Sequence, residues 1–522
     1  MSLPSANDVA EEPAVDSSAQ KSTRFDGQSD AAAVPTSNTA IDRTDSTLSD
    51  PRGTEGGLRR RPTRQASAGT SSIPPLKRIL TEMATPERPI GPEPTYRASM
   101  IALVKASWLN LFLVFVPVSW ALHFAGISPT ITFVMSLLAI MPLAKLLGFA
   151  TEEMGLRLGQ TLAGLLNATL GNLVELLIAI LALIKCELRL VQASLIGSII
   201  SNLLLVLGCC FFAGGLKYSE QGFTPGGAQI STSLLLISVS AFLIPVAFNS
   251  TFSDQLADPL QRSDILSMSR GLAVILLVCY LAYLVFQIYS HAHLFDETGA
   301  KVSQGKSTYG DHKLWRQAPS ANRGSQRLST DASVLAEDKT ISSGDADSEE
   351  EGEQISMNLV STIIVLLVVA GVTGYTAEVL VDSIQGLTDA HPSISQEWVG
   401  LILLPVAGNA AEHVTAVTVS VKDKLDLSIG VAIGSSIQIA LFVIPLLVII
   451  AWGLDKPLSL LFSEFESVVV FLAVLMVNST IADSKANWLE GFLLIAFYIG
   501  IAVVFWYYPT GTTPQDVLLA CT

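Results

Sequence analysis

Eleven apolar stretches, each long enough to cross a bilayer, constrain this chain more than any other feature. They run at about 106–125, 130–149, 161–183, 190–214, 229–248, 269–290, 358–382, 396–419, 427–452, 465–482 and 489–507. A bilayer core about 30 Å thick takes about 20 apolar residues per helix. Inside it, every backbone N–H and C=O must be satisfied within the segment, which favours helices. The expected fold is therefore an all-α polytopic membrane protein with eleven transmembrane helices. Composition agrees, since 50% of the residues are apolar and 15% charged, against roughly 25% charged in a soluble domain. The polar residues are segregated into 1–100 and 291–357. The first of these reads as a disordered tail, because it has too little apolar surface to offset ordering entropy.

The net charge of −15, from 31 basic and 46 acidic residues, is concentrated in short runs. No basic patch interleaved with aromatics appears, so no nucleic-acid partner is expected. Cys186, Cys209, Cys210, Cys279 and Cys521 show no CxxC and no metal-type spacing. Neither a disulfide framework nor a zinc site is expected from them. No apolar stretch follows Met1, so no cleaved signal peptide is expected and insertion falls to the first span. Lys77, Arg78, Arg88, Arg97 and Lys105 precede that span and favour a cytosolic N-terminus. The same count puts 291–357 and the loops with Lys422, Lys424 and Lys485 in the cytosol, and Lys185 and Arg189 against the rule. Arg59, Arg60, Arg61 and Arg64 lie upstream of Ser67, which reads as a solvated basic segment or a phosphorylation site.

An internal repeat shapes the architecture. GNLVELLIAI from Gly171 and GNAAEHVTAV from Gly408 are offset by 237 residues, and the same offset maps Gly197-Ser198 onto Gly434-Ser435. ATEEMGLRL from Ala150 and YTAEVLVDSI from Tyr375 form a third pair. Spans two to six and seven to eleven then duplicate each other. Five is odd, so the copies run in opposite orientations, the inverted-repeat plan of secondary transporters with a site near the midplane. The expected divisions are a tail at 1–100, an extra helix at 101–128, a first five-helix repeat at 129–290, an acidic linker at 291–357, a second repeat at 358–510 and a tail at 511–522.

Asn172 and Glu175 share a helix face, as do Asn409 and Glu412 in the second copy. Both glutamates lie in otherwise uncharged apolar stretches, where an unbalanced carboxylate costs several kcal/mol. No lysine or arginine is expected at comparable depth in a neighbouring span, so a bound cation or proton must balance them. Two carboxylates with amide oxygens of Asn172 and Asn409, and carbonyls beside Gly171 and Gly408, form a hard oxygen set that suits Ca²⁺. Pro405 would free carbonyls where its helix breaks. Carboxylates facing each other at low dielectric resist ionising together, so protons take the place of the metal, and a site that is costly when empty moves only when loaded.

Ser198, Ser201, Asn202, Ser435, Ser436 and Gln438 read either as ligands and proton relays or as close helix packing. His413, opposite Leu176 in the first copy, either tunes Glu412 or is an ordinary bonded histidine. Glu378 and Asp382, four apart, and Glu152 read as an ion entrance or as interfacial acids. The run holding Asp345, Asp347, Glu349, Glu350, Glu351 and Glu353 does not fit an EF-hand loop. It reads equally as solvated or as an attractor of cations with a regulatory role.

These motifs together, GNLVEL with GNAAEHV and GSIISNLLLVLG with GSSIQIALFVIP, resemble the cation/proton exchanger (CAX) family of the calcium/cation antiporter superfamily, over residues 100–507. The likeness is to a fungal-type vacuolar calcium exchanger. It implies a membrane protein that is no enzyme and has no cofactor, loading Ca²⁺, with Mn²⁺ as a further cargo, into an acidic vacuole against protons. By the resemblance Glu175 and Glu412 carry metal and protons, while Glu152, Glu378, Asp382 and His413 lie on the ion path. Its partners are the bilayer and divalent ions; a homo-oligomer and regulatory contacts of the N-terminal tail complete the expectation. The rivals are a Na⁺/Ca²⁺ exchanger, which would surround its acids with more Ser and Thr than Leu173, Val174, Ala410 and Ala411 supply, and an intramembrane enzyme, which would need a motif such as HExxH that the spans lack.

Overall fold

The computed structural model describes residues 91–508 except 159, 253–257, 292–293 and 295–354, together with Leu519 and Cys521. The tail before residue 91, with its basic cluster and Ser67, lies outside the described residues, as do the acidic positions Asp345, Asp347, Glu349, Glu350, Glu351 and Glu353.

What is described is almost wholly helical. In chain order the helices are α1 Tyr96–Lys105, α2 Trp108–Phe124, α3 Pro129–Gly155, α4 Gln160–Leu170, α5 Leu173–Ile184, α6 Leu188–Lys217, α7 Pro225–Phe252, α8 Asp258–Val285, α9 Leu359–Ala390, α10 Gln396–Gly408, α11 Ala410–Val421, α12 Leu425–Gly453, α13 Glu464–Thr480 and α14 Trp488–Trp506. By length and apolar composition, seven helices among the described residues are able to cross a membrane, or nine when each of two bent pairs is one span. The expected third span is split into α4 and α5, each too short alone, and α13 has 17 residues.

The extra N-terminal span is also reshaped. α1 stands at 90° to α2, and Ser107 starts the second piece by accepting from the Leu109 N–H at 3.2 Å. The Asn110 amide donates to the carbonyls of Leu103 and Val104 at 2.9 and 3.1 Å, which ties the carbonyl end of α1 to the start of α2. Further along, α13 and α14 each begin with a capping box, Ser463 with Glu466 and Asn487 with Glu490. Such boxes satisfy two orphan donors at a helix start.

α3 and α9 pack against each other, with α2 on α3, α5 on α9 and α14 on α6. The outward faces are apolar, with Val278, Leu281, Leu367 and Val503 all more than half exposed, as a lipid-facing surface requires. Polar contacts gather at the two ends of this bundle. At the tail side, Lys217 donates to the Val421 carbonyl at 2.7 Å, Gln221 to Asp423 at 3.1 Å, and Lys485 pairs with Glu220 at 3.2 Å. A two-residue ribbon there pairs Gln221 with Ala486 and Gly222 with Lys485. Glu153, only 4% exposed, accepts the N–H groups of Ser356 and Met357 at 3.1 and 3.2 Å, and Arg157 donates to the Met357 carbonyl. These contacts fix the segment that enters α9. At the far side, Lys185 pairs with Asp382, and Gln396 donates to Glu187 at 2.6 Å.

The far side also corrects the reading of the cysteines. Cys186 and Cys521 form a disulfide with a Cα–Cα separation of 6.4 Å, within the usual range. A pairing across 335 residues has no spacing signal to reveal it. Mass spectrometry of unreduced, denatured and alkylated protein should find three labelled cysteines, Cys209, Cys210 and Cys279; five labelled sites would contradict the bond.

Gly197 shows why α6 and α10 come so close. A Cβ built there meets the Leu401 carbonyl oxygen at 2.2 Å, whereas at Gly434, its counterpart in the second motif, nothing lies within 4 Å. Gly197→Ala should therefore destabilise the fold by about 1–3 kcal/mol, as overpacking does. Gly434→Ala should leave it unchanged or slightly better. Melting temperatures in detergent check both.

Candidate functional site

Both GN motifs lie at helix breaks. α4 ends before Gly171, Asn172 is the N-cap of α5, and Glu175 stands in the first turn. In the second copy α10 ends at Gly408, Asn409 is the N-cap of α11 and Glu412 is in its first turn; α10 and α11 are bent by 54°. Asn-x-x-Glu at a helix start is locally a capping-box sequence, yet neither asparagine side chain caps its own helix. Each reaches across to the other motif set instead.

Ser435 donates to the Asn172 side-chain oxygen at 2.9 Å, and the Asn172 amide donates to Gln438 at 2.7 Å. In the matching place, the Asn409 amide donates to Ser198 at 2.9 Å. The Asn202 amide donates to Ser435 at 3.1 Å. Thus Ser198, Asn202, Ser435 and Gln438 come together with the two asparagines. Ser436 does not join them, since its hydroxyl donates to the Ala432 carbonyl of its own helix at 2.9 Å.

The helices that carry these serines and amides are irregular at the same place. α6 widens to a π-helix over Ser201–Val206 and α12 over Ile439–Val443, and π segments recur at functional sites. α10 has a third such segment at Val399–Leu403, directly before Pro405, which lacks the N–H that would continue the ladder. The break expected near Pro405 is therefore present, four residues later at Asn409.

Gly408 brings the second break against the first carboxylate, since a Cβ there would lie 3.0 Å from Glu175 Oε1. A recess is lined by Glu175, Ser194, Ser198, Pro405 and Gly408. Ile178, Leu195 and Leu404 complete its walls. Several buried oxygens nearby lack a hydrogen-bond partner: Asn409 Oδ1, Asn202 Oδ1, Ser201 Oγ and Glu412 Oε2. His413 Nε2 is likewise buried without one. Among the described residues no three of His, Cys, Asp or Glu cluster to hold a metal ion, so two carboxylates with amide and carbonyl oxygens are the donors present.

Asp382 is exposed and paired with Lys185. One expectation needs correction. A lysine does stand near Glu412: Lys145 of α3 donates to Thr415 Oγ1 at 3.1 Å, three residues beyond Glu412. Lys145 falls near the end of an apolar stretch, so in sequence it passes for an interfacial residue. Glu152 is exposed on α3 and Glu378 half-buried on α9, while the adjacent Glu153 carries the structural bonds.

A helical bundle with apolar outer faces, two broken helices at its centre and carboxylates on both breaks defines a polytopic membrane protein of the transporter class. The chain belongs to the sodium/calcium exchanger protein family, whose model matches residues 128–289 and 361–507. It is 45% identical to the vacuolar calcium ion transporter of Cryptococcus neoformans var. grubii, over 97% of this chain and 95% of that one. To the Ca²⁺/H⁺ antiporter of Synechocystis it is 40% identical over 78% of this chain and 99% of the relative. Among solved structures, the Ca²⁺/H⁺ antiporter protein YfkE matches with a TM-score of 0.55 and 28% identity, covering 78% of this chain and 99% of that chain.

The bond between Asn172 and Ser435 is open to a double-mutant cycle. Asn172→Ala and Ser435→Ala should each cost about 1–3 kcal/mol by stranding a buried partner. The double variant should lose clearly less than the sum. Strictly additive losses in thermal melts would argue against the bond.

Proposed function

We propose that this protein is a secondary active antiporter that moves Ca²⁺ out of the cytosol into an acidic organelle, the vacuole, in exchange for protons. The observation that carries the proposal is the pair of broken helices whose first turns present Glu175 and Glu412 to each other, braced by reciprocal asparagine–serine bonds. Carboxylate oxygens, the side-chain oxygens of Asn172 and Asn409, and carbonyls at Gly171 and Gly408 are the ligands, and the unpartnered oxygens of Asn409 and Glu412 supply acceptors that a cation satisfies. Ca²⁺ takes six to eight such oxygens. The ends of α4 and α10 point their negative poles at the same place, the arrangement that broken transporter helices use for cations.

Exchange follows from charge. Two carboxylates in a low-dielectric interior resist standing bare together, so the site holds either a divalent ion or protons. An unloaded site is costly to carry across, and this cost couples the two flows. Access alternates by movement of helices about the fixed site, with Glu175 lining the recess. Gln438, Asn202, Ser198 and Ser435 position the asparagines, and His413 and Glu378 line the proton path. Mn²⁺ is a second cargo of the same oxygen chemistry.

The layout proposed is eleven crossings, an extra helix at 101–128 followed by inverted repeats at 129–290 and 358–510, with the tail side and the linker 291–357 in the cytosol. Supporting it, the helix breaks and the π segments of α6 and α12 recur at an offset of 237, and Arg97, Lys105, Arg157, Lys217, Lys422, Lys424 and Lys485 lie at the tail side, as the positive-inside rule asks.

Purified protein in proteoliposomes with an acid interior should take up radiolabelled Ca²⁺, and a protonophore should stop it. Glu175→Gln and Glu412→Gln should abolish uptake. Gly408→Ala, by pressing on Glu175, should slow it by about tenfold to a hundredfold, the order seen when an essential group shifts by an ångström. Uptake that ignores the proton gradient and follows internal Na⁺ would overturn the proton reading.

A further inference from the structure

Lys145 has no counterpart in the second half. In the register that pairs Ala150 with Tyr375, its position is taken by Ala370. It lies ten residues inside the end of α3, about 15 Å along the axis at helical rise. An ammonium at such depth is costly unless paired, and intramembrane charges mark ion pathways. Its amine is held by the Thr415 hydroxyl at 3.1 Å, and that hydroxyl in turn donates to the Ala411 carbonyl at 3.0 Å, leaving its oxygen lone pairs for the lysine. Thr415 sits one turn beyond Glu412 toward the tail side, on the same face of α11. Glu152, seven residues after Lys145, continues the same face of α3 outward and is exposed.

We propose that Lys145 is a fixed positive charge on the tail-side approach to Glu412, an ammonium parked on Thr415 that offsets one carboxylate's charge only in part, so that the empty site stays costly while an arriving divalent cation has to work against the lysine. The lysine thereby sets the affinity of the site from that side without being a ligand. This rests on the cation-exchange reading above. A divalent ion feels a fixed positive charge twice as strongly as a monovalent one at the same distance. Removing the charge should therefore tighten divalent binding, while retaining it as arginine should not.

The tether gives a second, opposite handle. Without the Thr415 hydroxyl the lysine is free to close on Glu412 directly, which strengthens the internal pair and weakens binding of the cation. A residue that only packed α3 against α11 would shift affinity in the same direction when either partner is changed.

The test is the Ca²⁺ concentration that half-maximally raises the melting temperature of the full-length protein in detergent at one fixed pH, with the KM for uptake into proteoliposomes alongside. Lys145→Met should lower both by about tenfold or more, with kcat not increased. Lys145→Arg should stay within about twofold of wild type, and Thr415→Val should raise both. A Ca²⁺ response in wild type that Lys145→Met leaves unshifted, or shifts in the same direction as Thr415→Val, would overturn the proposal alone. No Ca²⁺ response in wild type would overturn the exchange reading and this proposal with it. Should Lys145→Met fail to fold, the rise with Thr415→Val and the retention with Lys145→Arg carry the decision.

Discussion

A carboxylate held away from water must be answered by something, and the centre of this molecule is built around that demand. Glu175 and Glu412 stand at the first turns of helices whose partners stop short. The asparagines before them turn away from their local capping role and bond across to Ser435, Gln438 and Ser198. Giving up two helix caps sacrifices on the order of 1 kcal/mol each. In exchange, the breaks are pinned to the helices that surround them, and the carboxylates cannot drift from each other.

Much of this was readable from the residues. Asn-Xaa-Xaa-Glu twice at one offset, Pro405 just before the second copy, and Gly-Ser at the same offset together mark where helices break and polar groups collect. Other features left no local signal. The hydrogen bonds themselves join segments more than 200 residues apart, so composition and periodicity carry no trace of them. The π segment of α12 has Pro445 two residues beyond it, a legible cause, but the one in α6 has Gly208 at the matching place and only packing to explain it. The doublet Glu152-Glu153 hid the residue with the structural bonds behind the one that is exposed.

The bend between α1 and α2 shows the same limit at smaller scale. Apolar residues run nearly without interruption through 101–125, and a hydropathy reading joins them. Ser107 and Asn110 decide otherwise, because their side chains supply the hydrogen bonds that let one helix stop and another start at a right angle. Two polar residues in an apolar run weigh little in an average, yet they satisfy the backbone groups on which helix continuity depends.

The two halves are most alike where they must hold a charge and least alike around it. Both keep the glycine, asparagine and glutamate of the break, and both keep the serine that receives the asparagine. Around that shared frame, Gln438 answers Ser201, His413 answers Leu176, Lys145 answers Ala370, and the crowded Gly197 answers the open Gly434. A perfectly symmetric site would present the same face and the same charge to both sides of the membrane. An exchanger that loads one ion from one side and another from the opposite side needs its two approaches to differ. The geometry shared between the halves fixes where the two helix breaks sit, and the unmatched residues are where the two halves part.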